Sequence, residues 1–130
     1  MRVKLFLPVV AVVLTLTACS SHKTLYFSGK TRHWQIKYQA NITSQTSESD
    51  DTEIRYIGSG HPPKHIQFKI GGSSGSMSLH NGVLILSGSG CSGCSVTRKA
   101  DKISAKIQWD GKSELTTLKN EPRFKKPIPL

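Results

Sequence analysis

Apolar and polar residues alternate along several short stretches of this chain, and no helical period appears between them. The clearest stretch runs from Trp34 to Ile42, where every second residue is aromatic or aliphatic: Trp34, Ile36, Tyr38, Ala40 and Ile42. A period of two with aromatic and β-branched residues is typical of a strand that buries one face. Similar alternation predicts further strands at residues 53–57, 66–70 and 103–109.

The pair Asn81-Gly82 lies between two apolar segments and is a strong signal for a tight hairpin turn. A two-residue turn at this point predicts three cross-strand pairs: His80 with Val83, Leu79 with Leu84, and Met77 with Leu86. The four apolar side chains of the last two pairs would share one face, whereas Val83 falls on the other, so the turn and the buried face agree on a register.

A second turn is predicted at Asp110-Gly111, after the strand that ends at Trp109. A two-residue turn would place Leu115 opposite Lys106, an apolar residue against a charged one. A three-residue turn with a bulge would place Leu115 opposite Ile107, and we expect that arrangement.

These patterns predict an all-β fold, a single antiparallel β-sandwich or small barrel of about seven or eight short strands, preceded by a helical signal peptide. The predicted β-sandwich domain covers residues 29–119. The polar, acidic residues 43–51 and the proline-containing residues 58–64 are expected to be loops. Residues 120–130, with three prolines and three cations, are expected to form a basic, extended and mobile tail.

The first 18 residues have the organisation of an export signal. Arg2 and Lys4 precede an apolar run from Leu5 to Thr17, which is too short to span a bilayer as a helix. Leu16-Thr17-Ala18-Cys19 then resembles the lipobox of bacterial lipoproteins. That resemblance implies a signal peptide at 1–18, cleavage before Cys19 and a diacylglycerol on the Cys19 sulfur. Residues 19–28 are then expected to form a lipidated tether, unless the apolar residues Leu25, Tyr26 and Phe27 dock as an early strand and shorten it. Two acyl chains hold a protein durably at a membrane, whereas one holds it weakly.

Cleavage before Cys19 leaves 112 of the 130 residues, enough for one domain with one core. The loss of Arg2 and Lys4 lowers the net charge from +10 to +8. A basic exported domain attracts anionic neighbours, so the expected partners are the membrane, through the lipid, and anionic envelope polymers. Nucleic acid is disfavoured because the cations are scattered without a recognisable motif. A merely solvated basic surface is the simplest alternative.

With Cys19 lipidated, Cys91 and Cys94 remain as a pair in an oxidising compartment. Their Cys-x-x-Cys spacing lacks the following helix of a redox motif and the second ligand pair of a zinc site. A structural disulfide is favoured, while thiol redox chemistry and metal binding stay open as alternatives.

Other candidate chemistry is weaker. Glu48, Asp50, Asp51 and Glu53 form an acidic cluster without the spacing of a calcium loop, so a solvated loop is expected. His33 and the serines Ser87 and Ser89 do not make a catalytic triad, because an acid and a glycine-elbow nucleophile are lacking. Trp34 and Trp109 each lie on the apolar face of a predicted strand and are expected to anchor the core.

Three segments resemble a group of small lipoproteins from Gram-positive bacteria: residues 34–38 (Trp-Gln-Ile-Lys-Tyr), residues 87–94 (Ser-Gly-Ser-Gly-Cys-Ser-Gly-Cys) and residues 106–114 (Lys-Ile-Gln-Trp-Asp-Gly-Lys-Ser-Glu). Members of this group are short, β-rich and of unassigned function. The resemblance implies a fold and a location, and it carries no catalytic residue.

The sequence therefore predicts a non-enzymatic lipoprotein, anchored at the extracytoplasmic face of the cell membrane, with a binding or structural role in the envelope and no cofactor. The alternative is a lipoprotein that uses Cys91 and Cys94 for thiol redox chemistry or for handling a metal. The sequence does not indicate an oligomeric state.

Overall fold

The computed structural model describes residues 22–122 and 128–129, so the predicted signal peptide and Cys19 lie outside the described residues. The described ranges contain eight strands and no helix, which confirms the all-β prediction. The strands are β1 (Lys23–Lys30), β2 (Trp34–Ser44), β3 (Ser47–Tyr56), β4 (His65–Ile70), β5 (Ser73–Ser78), β6 (Val83–Ser92), β7 (Ile103–Trp109) and β8 (Lys112–Asn120). Within these ranges, nothing helical is long and apolar enough to cross a membrane.

The strands form one antiparallel sheet in the order β5-β4-β7-β8-β1-β2-β3-β6, which curls until it is nearly closed into a barrel. One end gathers the start of β1, the turns at 45–46 and 71–72, and the loop at 93–102. We call it the disulfide end, because it carries Cys91 and Cys94. The opposite end, formed by the connections at 31–33, 57–64, 79–82 and 110–111, is called the aromatic end.

The barrel core follows from the alternation in the sequence. On β2, Trp34, Ile36, Ala40 and Ile42 are buried, and Tyr38 packs against the core. The predicted inner face of this strand is therefore confirmed. Neighbouring strands supply the rest of the core: Leu25, Phe27, Ile54, Ile66, Phe68, Ile70, Leu84, Ala105, Ile107, Trp109 and Leu118.

The turn between β7 and β8 differs from the prediction. Asp110 and Gly111 have φ values of 44° and 73°, as in a two-residue turn of type I′. Leu115 consequently lies opposite Lys106 and is 71% exposed, so the predicted three-residue turn is wrong. The inner position opposite Ile107 belongs to Glu114, whose carboxylate binds His33 in the connection between β1 and β2.

The turn at Asn81-Gly82 is present, with φ values of 50° and 76°, and it joins His80 to Val83 by two backbone hydrogen bonds. The predicted pairs beyond it are wrong. The Leu79 amide donates to the carbonyl of Lys64 instead, and β5 pairs with β4 while β6 pairs with β3. The two strands leave the turn towards different neighbours, because each gains a full ladder there. We call the gap between their free edges the seam.

Described residues on both sides of the predicted domain, in β1 and at Ile128, pack against the barrel. Strand β1 begins at Lys23 and buries Leu25 and Phe27, so the tether expected at 19–28 overlaps the sheet. In the tail predicted at 120–130, Ile128 is only 4% exposed, and its amide donates to Gln39 Oε1 at 3.4 Å. The expectation of a mobile tail therefore fails at Ile128, whose side chain is buried.

Candidate functional site

The segment Cys91-Ser92-Gly93-Cys94 leaves strand β6 at the disulfide end. Cys91 and Cys94 are joined by a disulfide, with their Cα atoms 6.0 Å apart. Gly93 has a φ of 70°, in the left-handed region where glycine is favoured. The Cys94 amide donates to the carbonyl of Thr46 at 2.9 Å, which fixes this loop to the turn between β2 and β3.

The acidic cluster lies in strand β3, and the prediction of a solvated loop is wrong. Glu48, Asp51 and Glu53 are buried, and Asp50 is half-buried. Glu48 and Asp50 lie opposite Ile42 and Ala40, so they share the inner face with the core. Polar residues occupy both faces of this part of the strand, so no alternation of apolar and polar residues marks it.

Asp51 and Glu53 lie on the outer face of β3 and have local partners. Asn41 Nδ2 donates to Asp51 Oδ2 at 2.9 Å, and Arg55 Nε donates to Glu53 Oε1 at 3.0 Å. These contacts satisfy the outer carboxylates within the sheet. The inner pair, Glu48 and Asp50, has a different environment.

Glu48 holds the loop at 93–102 against the barrel. Thr97 donates to Glu48 Oε1 from its backbone amide at 2.8 Å and from its hydroxyl at 3.0 Å. The Tyr38 hydroxyl hydrogen bonds to Asp50 and also lies close to the Thr97 hydroxyl. Four side chains from β2, β3 and the loop thus form one connected polar group. We call Tyr38, Glu48, Asp50 and Thr97 the inner polar cluster.

Two carboxylate oxygens of this cluster have no donor among the described residues, Glu48 Oε2 and Asp50 Oδ1. The two carboxyl groups are close enough for the charge of Glu48 to raise the pKa of Asp50. Two carboxyl groups in contact favour a state in which one keeps its proton, because two adjacent negative charges repel each other. The charge of Glu48 therefore favours the protonated form of Asp50.

The pKa values follow from this arrangement. Burial raises the pKa of Asp50 to about 6; the hydrogen bond from Tyr38 opposes the increase, and the charge of Glu48 adds to it. Burial also raises the pKa of Tyr38, and its hydrogen bond to Asp50 has the same effect. Tyr38 is thus a neutral donor throughout the physiological range.

The cluster borders a cavity of about 520 Å³ at the disulfide end. Tyr38, Asp50 and Thr97 form part of its wall, together with Cys91, Asp101 and Lys102. Hydroxyl, carboxyl and ammonium groups in one cavity can hydrogen bond to a small polar ligand. Cys91 is exposed here, so the disulfide faces the same space.

At the aromatic end, His33 binds Glu114 through both its backbone and its ring. The His33 amide donates to Glu114 Oε1 at 3.0 Å, and its Nδ1 contacts Glu114 Oε2. Burial tends to raise the pKa of Glu114, but hydrogen bonds from Thr31 and His33 outweigh it and lower the pKa. Sequence reasoning missed this pair because the two residues are 81 positions apart.

The aromatic residues of this end confirm the predicted anchors. Trp34 is fully buried and Trp109 is 6% exposed, and their rings meet edge to face with centroids 5.3 Å apart. Such aromatic pairs stabilise a fold beyond the area that they bury. These tryptophans are therefore packing residues.

Four histidines, His33, His61, His65 and His80, lie at the aromatic end, opposite the cysteines. His65 contacts the hydroxyls of Ser76 and Ser78 across the ladder between β4 and β5, while His61 is exposed in the preceding connection. Over residues 22–122 and 128–129, no three His, Cys, Asp or Glu residues are placed to hold a metal ion.

Comparison with known proteins adds no relative. No protein-family model, no curated protein and no solved structure matches this chain. The resemblance to small lipoproteins of Gram-positive bacteria therefore stays a prediction from the three sequence segments.

Proposed function

We propose that the chain is an envelope lipoprotein, held at the extracytoplasmic face of the cell membrane by a lipid on Cys19. The observation that carries the proposal is the sequence of the leader, in which a charged start and an apolar run end in Leu16-Thr17-Ala18-Cys19. The barrel serves a non-enzymatic binding or structural role.

The position of β1 supports a close attachment to the membrane. Only three residues separate Cys19 from Lys23, the first residue of the sheet. Four extended residues span about 14 Å at most. A lipid on Cys19 would consequently hold the disulfide end, where β1 starts, next to the lipid headgroups.

The charges at this end fit the same orientation. Arg98, Lys99 and Lys102 are exposed in the loop at 93–102, and Lys23 is exposed at the start of β1. Each basic residue near an anionic membrane surface adds about 1 kcal/mol of attraction. Anionic lipid headgroups or envelope polymers are therefore the expected neighbours of this loop.

Cell fractionation of Cys19→Ala tests the proposal. The variant should leave the membrane fraction or keep its leader uncleaved, because both the lipid and the cleavage depend on the Cys19 sulfur. Normal processing with unchanged membrane retention would contradict the anchor.

A second candidate function is thiol redox chemistry or metal handling by Cys91 and Cys94. The observation in its favour is that Cys91 is exposed at the cavity that Tyr38 and Asp50 also border. Thiol counts of the folded protein before and after mild reduction, with and without a chelator, distinguish the two candidates. Rapid reversible reduction by millimolar glutathione, or a metal lost on chelation, would favour the second.

A further inference from the structure

The barrel is open along one line, the seam between β5 and β6. Strand β5 pairs only with β4, and β6 pairs only with β3. The bridge between His80 and Val83 is the one place in the described ladders where the two sides of the seam meet. Beyond it, both strands present backbone N–H and C=O groups of a free edge towards the seam.

Both edges lack the charges that usually protect a free strand. None of the 28 residues from 70 to 97, which include β5 and β6, is Asp, Glu, Lys or Arg. Neither strand contains proline. Exposed edges in natural proteins normally carry lysine, proline or an inward charge that prevents pairing with another chain. These two edges are instead chemically suited to accept a strand.

The core is also uncovered along the seam. A groove of about 620 Å³ runs between the edges, with Phe68, Met77 and Leu86 among its lining residues. Met77 lies opposite Ile66 on the inner face of the sheet, yet it is 43% exposed. An inward-facing side chain is normally buried in a closed barrel. Met77 is exposed because no strand covers it from the β6 side.

The described parts of the C-terminal segment do not fill the groove. Ile128 binds Gln39 on β2, and Glu121 donates to Tyr26 on β1. Both strands lie away from the seam in the strand order. A strand at the edge of another folded domain would fit this site poorly. The free edges of β5 and β6 face the same gap, and a strand that belongs to a second sheet could not enter it to pair with both. A single extended segment can reach both.

We propose that the seam binds an extended, uncharged segment of a partner protein by strand addition to β5 and β6. The segment would be about six residues long, the length of β5, with apolar side chains at alternate positions pointing at Met77, Leu86 and Phe68. Its backbone supplies the affinity and its alternate side chains supply the specificity, as in other cases of strand addition. This site is independent of the membrane anchor.

The probe is the synthetic peptide Thr-Val-Thr-Val-Thr-Val-amide with a fluorophore on its N-terminal amine, added to the full-length protein in mild detergent. Binding is followed by fluorescence anisotropy, and amide hydrogen exchange reports which strands are covered. The peptide should bind and slow exchange in β5 and β6. The same peptide with N-methylated backbone amides should not bind, because it keeps the side chains and loses the hydrogen-bond donors.

Two lysine variants locate the site. Met77→Lys places a charge in the groove and should weaken peptide binding about tenfold or more. Leu115→Lys is the matched control, since Leu115 is an exposed apolar residue on the outer face of β8, and it should leave binding unchanged. Circular dichroism checks that both variants keep the β-rich fold.

Three results would overturn the proposal: no binding of the unmethylated peptide, equal binding of the methylated one, or protection outside β5 and β6. Sedimentation equilibrium tests whether a second copy of this chain occupies the seam instead. A protein that dimerises, and whose dimer is lost in Met77→Lys but kept in Leu115→Lys, would assign the edges to a second copy of this chain and contradict the partner segment.

Discussion

Glu48 and Asp50 lie two residues apart on the inner face of β3, and each has one buried carboxylate oxygen without a donor among the described residues. Natural proteins rarely bury a carboxylate without a partner, because the charged form is poorly solvated there. The inner polar cluster therefore stores unfavourable energy whenever both groups are ionised. Protonation of Asp50 relieves this cost, so the stability of the barrel depends on pH.

We expect the contribution of Asp50 to the free energy of unfolding to fall as the pH rises from about 4 to about 6. The native state raises the pKa of Asp50 from 3.8 to about 6, so over this range it binds more protons than the unfolded state and is stabilised by acid. Asp50→Asn should flatten this dependence and raise stability at pH 7.5 by about 1 kcal/mol. This gain is smaller than the full pKa shift would give at 1.36 kcal/mol per unit, because solvent screens the half-buried Asp50 carboxylate.

Urea unfolding at a series of pH values measures this effect, with Asp110→Asn as the control in an exposed turn. The control should follow the wild-type profile. An Asp50→Asn profile that runs parallel to the wild-type profile from pH 4 to 6, or an Asp50→Asn variant that is less stable at pH 7.5, would show that ionisation of Asp50 does not destabilise the fold.

Thr97→Val tests the connection between the loop at 93–102 and Glu48. The variant keeps the size of the side chain and the backbone donor but removes the hydroxyl bond to Glu48 Oε1. We expect a loss of about 1 kcal/mol in the free energy of unfolding. Hydrogen exchange should accelerate at Thr97 and Cys94. Thr117 is an exposed threonine on β8, so Thr117→Val is the control. It should alter neither the free energy of unfolding nor the hydrogen exchange of the loop.

The contrast between β2 and β3 explains how far the sequence predicts this fold. The alternation from Trp34 to Ile42 predicts β2 and its inner face, because burial of apolar side chains is a local pattern. Glu48 and Asp50 face the same interior, yet their polarity indicated a loop. Their placement depends on Thr97, which is 49 positions away in the sequence, and on Tyr38 of the neighbouring strand.

The sequence predicts the positions of two turns but not the strand pairing beyond them. Asn81-Gly82 and Asp110-Gly111 mark turns because Asn, Asp and Gly tolerate the positive φ values that these turns require. The pairing beyond each turn was predicted wrongly. Glu114 takes the inner position near Asp110-Gly111 to bind His33, and Leu79 bonds to Lys64 instead of Leu84. Tertiary contacts that no local pattern encodes decided both registers.

The two turn glycines allow a matched measurement. Gly82 and Gly111 have similar φ values, 76° and 73°, so Gly→Ala at either position introduces the same backbone strain of about 1–2 kcal/mol. A Cβ at Gly82 would also lie 3.3 Å from Pro62, whereas a Cβ at Gly111 meets nothing. Thermal unfolding should therefore show a larger loss of stability for Gly82→Ala. Equal losses of stability in the two variants would mean that Pro62 moves away from the added Cβ without destabilising the fold.

Replacing both Cys91 and Cys94 with Ser should lower stability by about 2 kcal/mol or less, because the disulfide closes a very short loop. The β-rich circular dichroism spectrum should persist, since the Cys94 amide and Thr97 hold the loop by other bonds. A loss of the folded state in the double variant would instead make the disulfide essential to the barrel.

Mass spectrometry of the mature N-terminus tests the central claim, that the protein is anchored by Cys19. Protein extracted from the membrane fraction should yield an N-terminal peptide that starts at Cys19 and carries the mass of a diacylglycerol on its sulfur. A mature chain that starts at any other residue, or a Cys19 with an unmodified thiol, would contradict the account.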